Sequence, residues 1–201
     1  AENRPDRFPV AGHNVHRVIM HPHGRRLYRQ CYNGTYRSDD GGRTWVEITG
    51  GLPSDFGYAI ACDPFDADTV FQIPESSSHL RTTVDGRLRV FRSTDAGHSW
   101  ASASGGLPQQ HAYVTVLRDA MEADARRPGQ VAFGTSSGHV FVTRDHGQRW
   151  ELAAEFLPRV SHASNARFAT LPLAEKQKLL AERGATRREM LPAAASYVGS
   201  D

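Results

Sequence analysis

Ser38-Asp39-Asp40-Gly41-Gly42-Arg43-Thr44-Trp45 returns as Ser93-Thr94-Asp95-Ala96-Gly97-His98-Ser99-Trp100 and again as Thr143-Arg144-Asp145-His146-Gly147-Gln148-Arg149-Trp150. All three stretches fit Ser/Thr-x-Asp-x-Gly-x-x-Trp and together use all 3 Trp of the chain. They start 55 and 50 residues apart, the period of a four-stranded propeller blade. The repeat extends in both directions. Leu52-Pro53, Leu107-Pro108 and Leu157-Pro158 follow the three Trp at one offset. Gly34-Thr35-Tyr36-Arg37, Leu88-Arg89-Val90-Phe91-Arg92 and Gly138-His139-Val140-Phe141-Val142 precede the motifs, and their β-branched and aromatic residues suit a strand. Each unit reads as strand, Asp-bearing turn, Trp, strand, Leu-Pro. Ser38, Asp40, Gly42 and Trp45, Ser93, Asp95, Gly97 and Trp100, and Thr143, Asp145, Gly147 and Trp150 are the structural positions. Asp and Ser/Thr oxygens accept backbone N–H groups in tight turns, Gly supplies positive φ, and an indole fills the gap between neighbouring sheets.

The motif resembles the Asp box, or BNR repeat, of sialidases, sortilin-type ectodomains and many bacterial proteins. The resemblance covers about residues 14–158 and implies a β-propeller. Gly51-Leu52-Pro53-Ser54-Asp55-Phe56-Gly57, Asp85-Gly86-Arg87-Leu88-Arg89-Val90 and Tyr113-Val114-Thr115-Val116-Leu117-Arg118-Asp119-Ala120-Met121 resemble the C-terminal half of bacterial BNR-repeat proteins labelled glycosyl hydrolase or exo-alpha-sialidase. That label rests on the repeat and implies no particular reaction.

A closed propeller has about four to eight blades, whereas this chain of 201 residues carries three copies of the motif. The expected fold is all-β, a partial propeller of about three four-stranded Asp-box blades over 1–158. A homo-oligomer or further blades would close the ring. After Leu52-Pro53 and Leu107-Pro108 the chain resumes strand patterning in Tyr58-Ala59-Ile60-Ala61-Cys62 and Tyr113-Val114-Thr115-Val116-Leu117. After Leu157-Pro158 that pattern stops. The 159–201 tail is expected to hold a short helix at about 172–183, opened by Pro172 and stopped by Gly184.

The net charge is +2 and hydrophobic residues make up 39% of the chain. No run of apolar residues is long enough for a membrane span. Basic residues alternate with acids rather than forming a block, which speaks against nucleic-acid binding. The start, Ala1-Glu2-Asn3-Arg4-Pro5, has no apolar signal segment and no initiating Met, which leaves a processed secretory protein or a trimmed fragment open, while the cysteine usage makes a cytoplasmic location the default expectation. Cys31 and Cys62 are expected to be buried free thiols.

With Asp boxes joining the third and fourth strands of each blade, the opposite rim is built by the links between blades and by those joining second and third strands. Side chains that touch a ligand collect in such loops. The first set is Ser54-Asp55-Phe56-Gly57-Tyr58 and Gln109-Gln110-His111-Ala112-Tyr113. The second contains Gln30-Cys31-Tyr32-Asn33 and the long excursion from Pro74 to Asp85, with Glu75, His79 and Arg81, where the third blade has the short Thr135-Ser136-Ser137-Gly138. The binding-rim candidates are Asp55, Phe56, Tyr58, Glu75, His79, Arg81, His111 and Tyr113.

A glycosidase needs paired carboxylates, for which Glu75 and Asp55 are available. The sialidase resemblance instead implies a Tyr nucleophile beside a carboxylate and an Arg cluster for the substrate carboxylate. It casts Tyr58 or Tyr113 with Glu75, and Arg81 or Arg118, in those roles. The sialidase Phe/Tyr-Arg-Ile-Pro signature is absent. His13, His16, His21 and His23 invite a metal, but His-x-x-His followed by His-x-His matches no closed structural site, so no metal and no cofactor is expected. Nucleophile elbows, phosphate loops and dinucleotide fingerprints are missing. Two readings follow: a non-catalytic scaffold presenting its rim to a glycan, peptide or protein, and a sialidase-like glycoside hydrolase completed by missing blades or a second subunit.

Overall fold

In the computed structural model, which describes residues 14–162, each repeat forms one antiparallel four-stranded sheet with its strands in chain order. The first blade holds β1 (Val15–Met20), β2 (Leu27–Cys31), β3 (Gly34–Ser38) and β4 (Val46–Glu47). The second holds β5 (Gly57–Asp63), β6 (Asp66–Pro74), β7 (Phe91–Ser93) and β8 (Ala101–Ser102). The third holds β9 (Met121–Ala123), β10 (Val131–Gly134), β11 (Val140–Thr143) and β12 (Glu151–Ala154). The fold is all-β, as the repeat predicts, with the Asp boxes at the β3–β4, β7–β8 and β11–β12 turns. The expected helix at 172–183 lies outside the described residues.

The first strands of the blades are neighbours, β5 lying against both β1 and β9. Arg17 on β1 spans from the first blade to the third, donating to the carbonyl of Met121 at 2.8 Å and to that of Arg118. Ala59, Phe71, Leu88, Met121, Phe133 and Trp150 belong to one buried core that joins the second and third blades. Tyr28, Ile48, Ile60 and Val70, with Trp100 against them, join the first and second. Burying apolar side chains between sheets is the main force holding blades together.

Two indoles do as the sequence predicts. Trp100 Nε1 donates to the Ile48 carbonyl at 2.8 Å, and Trp150 Nε1 to the Ala103 carbonyl at 2.7 Å. In each case the acceptor belongs to the preceding blade and follows that blade's own Trp at one offset. Gly97 shows how close the approach is: its φ is +88°, and a Cβ there would run into the Ile48 side chain. Trp45 departs from the expectation. Its Nε1 donates to Gly42 of its own turn at 2.9 Å, and the Arg29 guanidinium lies 4.0 Å from the ring centroid. No blade precedes the first among the described residues, so this indole has no neighbouring carbonyl to reach.

A second correction concerns 113–117, which read as the first strand of the third blade. That strand is Met121–Ala123 instead. The earlier stretch has its backbone committed elsewhere: the Val114 carbonyl accepts from Thr83 N–H, Thr115 exchanges bonds with Ser136, and Val116 N–H donates to Glu75. Likewise only Phe91–Ser93 of the run beginning at Leu88 is strand, because Leu88 N–H is taken by Pro108 and Val90 N–H by Ser104 Oγ.

Cys31 and Cys62 are free thiols, as expected, and burial pushes both up to about 11. Beyond β12, Leu157 and Val160 donate to Gly138 and Thr135, and Val160 is buried against the third blade. Large apolar side chains are exposed on the two end blades, Val15, Val18, Met20 and Val46 on the first, Leu152 and Phe156 on or just after the third. Phe65 and Leu80, in loops of the second blade, are exposed too, but the strand-borne exposure is on the end blades, which have no neighbouring blade on one side among the described residues.

Candidate functional site

The Asp boxes are built as turns. In the first, Ser38 Oγ donates to Asp40 Oδ1 at 2.8 Å and accepts Gly42 N–H at 2.8 Å, while Asp40 accepts the Arg43 and Thr44 N–H groups and the Thr44 hydroxyl. Ser93 and Asp95, with Gly97 and Ser99, repeat the pattern. In the third box Thr143 and Asp145 bond Gly147 and Arg149 main-chain N–H groups, but Arg149 stands where the others have a hydroxyl. The carboxylates are thus consumed by local donors.

Those bonds favour the charged form. The Thr44 hydroxyl and N–H hold Asp40 well below the usual carboxylate range, and Ser99 with Ser93 brings Asp95 to about 2. For Asp145, burial raises the value but the Arg149 N–H and Thr143 hydroxyl lower it further, for a net decrease. A carboxyl more acidic folded than unfolded stabilises the fold above its unfolded value and loses that effect as pH falls through the folded one. Thermal melts are therefore expected to drop steadily from about pH 4 to about pH 2, and Asp95→Asn to be less stable than the parent at neutral pH with a shallower acid limb. Unchanged neutral stability would contradict the turn assignment.

The opposite rim gathers aromatic rings from two blades. Phe56, just before β5, and Tyr58, on β5, pack edge-on at 5.3 Å between centroids; Tyr32, from the β2–β3 turn, meets Phe56 at 5.8 Å. His16 on β1 lies 5.4 Å from Phe56 and 4.6 Å from Tyr58, with Nδ1 2.7 Å from the Gly57 carbonyl. The Arg118 guanidinium sits 4.7 Å from the Tyr58 ring centroid. Tyr58 itself is 4% exposed.

The excursion between β6 and β7 is fastened to this cluster rather than free. Tyr32 hydroxyl and Ser78 Oγ are 2.8 Å apart, Glu75 N–H donates to Phe56, and Glu75 pairs with Thr83 across an antiparallel bridge. Thr83 and Thr115 hydroxyls donate to the carbonyls of Ala112 and Arg81. Glu75 is 1% exposed; one oxygen accepts Val116 N–H at 3.2 Å, and the other, Oε2, meets no hydrogen-bond donor. Burial pushes its carboxyl up to about 8, against the smaller opposing effects of the Val116 N–H and Arg81. It is a neutral acid at pH 7.

The candidates therefore divide. Phe56, Tyr58, Glu75, Arg81 and Arg118 share one neighbourhood, and His16 and Tyr32 join them. Tyr113 is 67% exposed and stands over Gly86, where a Cβ would touch its ring. With exposed His111, Leu88, His139 and Phe141 it lines a separate cleft of about 340 Å³ between the second and third blades. His79 is exposed at the excursion tip, and Asp55 contributes its carbonyl to Gln30 Nε2 at 3.3 Å. On sequence His16 stands only among the histidines that invite a metal; its place against Tyr58 is visible once β1 and β5 are side by side. Among the described residues no three His, Cys, Asp or Glu side chains converge as metal ligands, and no helix is long and apolar enough to cross a membrane.

Sheets of four antiparallel strands repeated about adjacent inner strands, with turn devices on one side and a built rim on the other, are blades of a β-propeller. The family model described as BNR/Asp-box repeat matches residues 36–47, the first copy of the motif, and the described residues have the fold of propeller blades. Its fold is similar to the GH74 xyloglucanase from Xanthomonas campestris, with TM-score 0.55 and 22% identity over 71% of this chain and 21% of that one. The GH74 enzyme of Niastella koreensis matches with TM-score 0.55 and 17% identity, over 76% of this chain and 23% of that one. YCF48 bound to D1 peptide matches with TM-score 0.50 and 17% identity, over 74% and 43%. The chain thus spans about a fifth to under half of these proteins. No curated protein sequence matches it.

Proposed function

We propose that this chain is a non-catalytic binding segment whose rim opposite the Asp boxes receives an extended peptide. The observation that carries the reading is the tethered excursion: Ser78, Glu75 and Thr83 fasten a long loop onto both the Tyr32–Phe56–Tyr58 cluster and the 112–116 stretch. A loop so held is a preorganised surface, which lowers the ordering cost of binding. The exposed guanidiniums of Arg81 and Arg118 and the half-buried Tyr32, backed by the buried Phe56 and Tyr58, offer side-chain chemistry used in peptide recognition. The fold neighbour bound to a peptide, YCF48 with D1 peptide, supports the same reading at the level of architecture.

The glycoside hydrolase reading finds less support in the geometry. A nucleophile and an acid must reach substrate, yet Tyr58 and Glu75 are both buried, and the exposed Tyr113 stands in a different cleft. Peptides selected from a displayed library on the folded chain are expected to lose at least about tenfold in affinity for a His79→Ala/Arg81→Ala/Tyr113→Ala variant. They should bind unchanged to an Arg43→Ala/Arg149→Ala variant on the Asp-box side. Equal binding to both would overturn the rim assignment, and hydrolysis of a fluorogenic sialoside lost on Tyr58→Phe would replace it with the enzyme.

A further inference from the structure

We infer that the cleft between the second and third blades on this rim is a pocket for one aromatic side chain with a polar edge, tryptophan or tyrosine, presented by a partner peptide. The inference rests on the peptide reading for the chain that carries the ring; the pocket itself stands on its own walls.

Tyr113 carries the inference, because its exposure has no architectural cause. Val15, Val18, Met20, Val46 and Leu152 are exposed on end blades, which have one side uncovered among the described residues. Tyr113 is 67% exposed although both the second and the third blade flank it. Nor is it loose. Gly86 lies against the ring at φ +63°, and a Cβ there would come within 2.9 Å of Tyr113 Cζ. The chain on either side is tied down: Ala112 N–H donates to the Gly86 carbonyl at 2.9 Å, and the carbonyls of Ala112 and Val114 accept the Thr83 hydroxyl and N–H. Asp85 and His111, at φ +57° and +53°, hold left-handed backbone in the two segments that meet here. Such backbone is uncommon for residues other than glycine and gathers at ligand-binding sites. A large ring kept open to water by a fastened backbone is the mark of an interaction surface.

The cleft holds about 340 Å³, at the small end of the roughly 300–1,000 Å³ of ligand pockets, so it takes one large side chain rather than a run of residues. Its depth is apolar, lined by the buried Leu88, Ala112 and Phe141. Its mouth is ringed by exposed Tyr113, His111, Gln110 and Ser137 and by half-buried His139. The His139 ring stacks on Phe141 with centroids 6.5 Å and planes 17° apart, its Nδ1 lies 3.0 Å from Ser137 Oγ, and Phe141 stacks in turn on Phe133 at 5.4 Å. A guest ring therefore meets aromatic surface twice, at Tyr113 over Gly86 of the second blade and at His139 over Phe141 of the third. Offset and edge-on ring contacts favour an aromatic guest over an aliphatic one of equal area. Gln110 and Ser137 at the mouth offer partners for an indole N–H or a phenol O–H while the ring is buried. No Asp, Glu, Lys or Arg lines the cleft, so a charged side chain entering it would be desolvated without a counter-charge.

The test adds single-residue probes to the folded chain: the N-acetyl amides of tryptophan, tyrosine and leucine, and methyl glucoside. NMR follows the Tyr113 and His139 rings, each resonance identified by its loss in Tyr113→Leu or His139→Gln. Tryptophan and tyrosine amides are expected to shift both rings and to bind at least about tenfold more tightly than leucine amide. Tyr113→Leu, which keeps apolar bulk but no ring, should weaken tryptophan amide by at least about tenfold, and His79→Ala/Arg81→Ala should leave it unchanged. The inference falls if leucine amide binds as tightly as tryptophan amide, if Tyr113→Leu binds like the parent, or if no probe moves these rings. It falls also if methyl glucoside alone moves them, which would assign the cleft to a sugar. Competition keeps this result apart from the library experiment. Selected peptides that tryptophan amide cannot displace would leave the peptide reading standing and remove this pocket from it; tryptophan amide held in the cleft of a chain that selects no peptide would keep the pocket and remove the peptide as its source.

Discussion

Trp150→Ala is expected to destabilise the folded chain by about 3–5 kcal/mol, the range for truncating a large buried aromatic, whereas Trp45→Ala costs about 1 kcal/mol or less because its site is half-open. The two residues occupy the same position of the same motif. Trp150 is 2% exposed, packs against Phe133 at 4.9 Å and donates across the blade boundary to Ala103. Its removal leaves a cavity in the shared core and an unanswered carbonyl. Trp45 bonds to its own turn and is covered on one face by Arg29. Trp100→Ala, with an indole half-buried against Ile48, should fall between them. Denaturant melts of the three variants test this directly. Equal losses at Trp45 and Trp150 would mean that the first blade has a neighbour in solution, supplied by a second copy.

Glu75→Gln is expected to stabilise the protein at pH 8 by several kcal/mol and to do almost nothing at pH 4. The direction follows from linkage. The carboxyl titrates at about 8 in the folded chain against an ordinary 4.5, so between those values the unfolded chain has released a proton that the folded chain retains. Stability therefore falls as pH rises through this window, by about 1.4 kcal/mol per pH unit, and levels off above about 8. Gln keeps an acceptor for Val116 N–H without ever ionising, so the difference between variant and parent should grow from about pH 5 and then plateau. Parallel pH profiles would show that water or a cation reaches Glu75 Oε2. Glu75→Ala separates the two roles, since it removes the charge and also orphans Val116 N–H; it should release the link between the excursion and 112–116.

The repeat, the number of blades described and the place of each Asp box were legible in the linear sequence. They depend on interactions among neighbours in the chain: Ser38 with Asp40 and Gly42, or Thr143 with Asp145 and Gly147, span a handful of residues. Such turn chemistry is encoded locally and repeats wherever the motif repeats. The stretch 113–117 shows where this reasoning stops. Its alternating β-formers read as a strand, but propensity is a weak constraint beside the bonds offered by Thr83, Ser136 and Glu75.

What only the tertiary structure decided has one physical origin, contacts between residues far apart in the chain. The Glu75 carboxyl meets Val116, 41 residues away, and His16 meets the Gly57 carbonyl across the same separation. Trp150 finds its acceptor 47 residues back, while Trp45 donates to Gly42 of its own turn. Whether a carboxyl is charged, a His packs against a neighbouring blade's ring or an indole is buried depends on local dielectric and on partners brought in by other blades. The motif determined the blade; packing one blade on the next determined which of its side chains are free to bind.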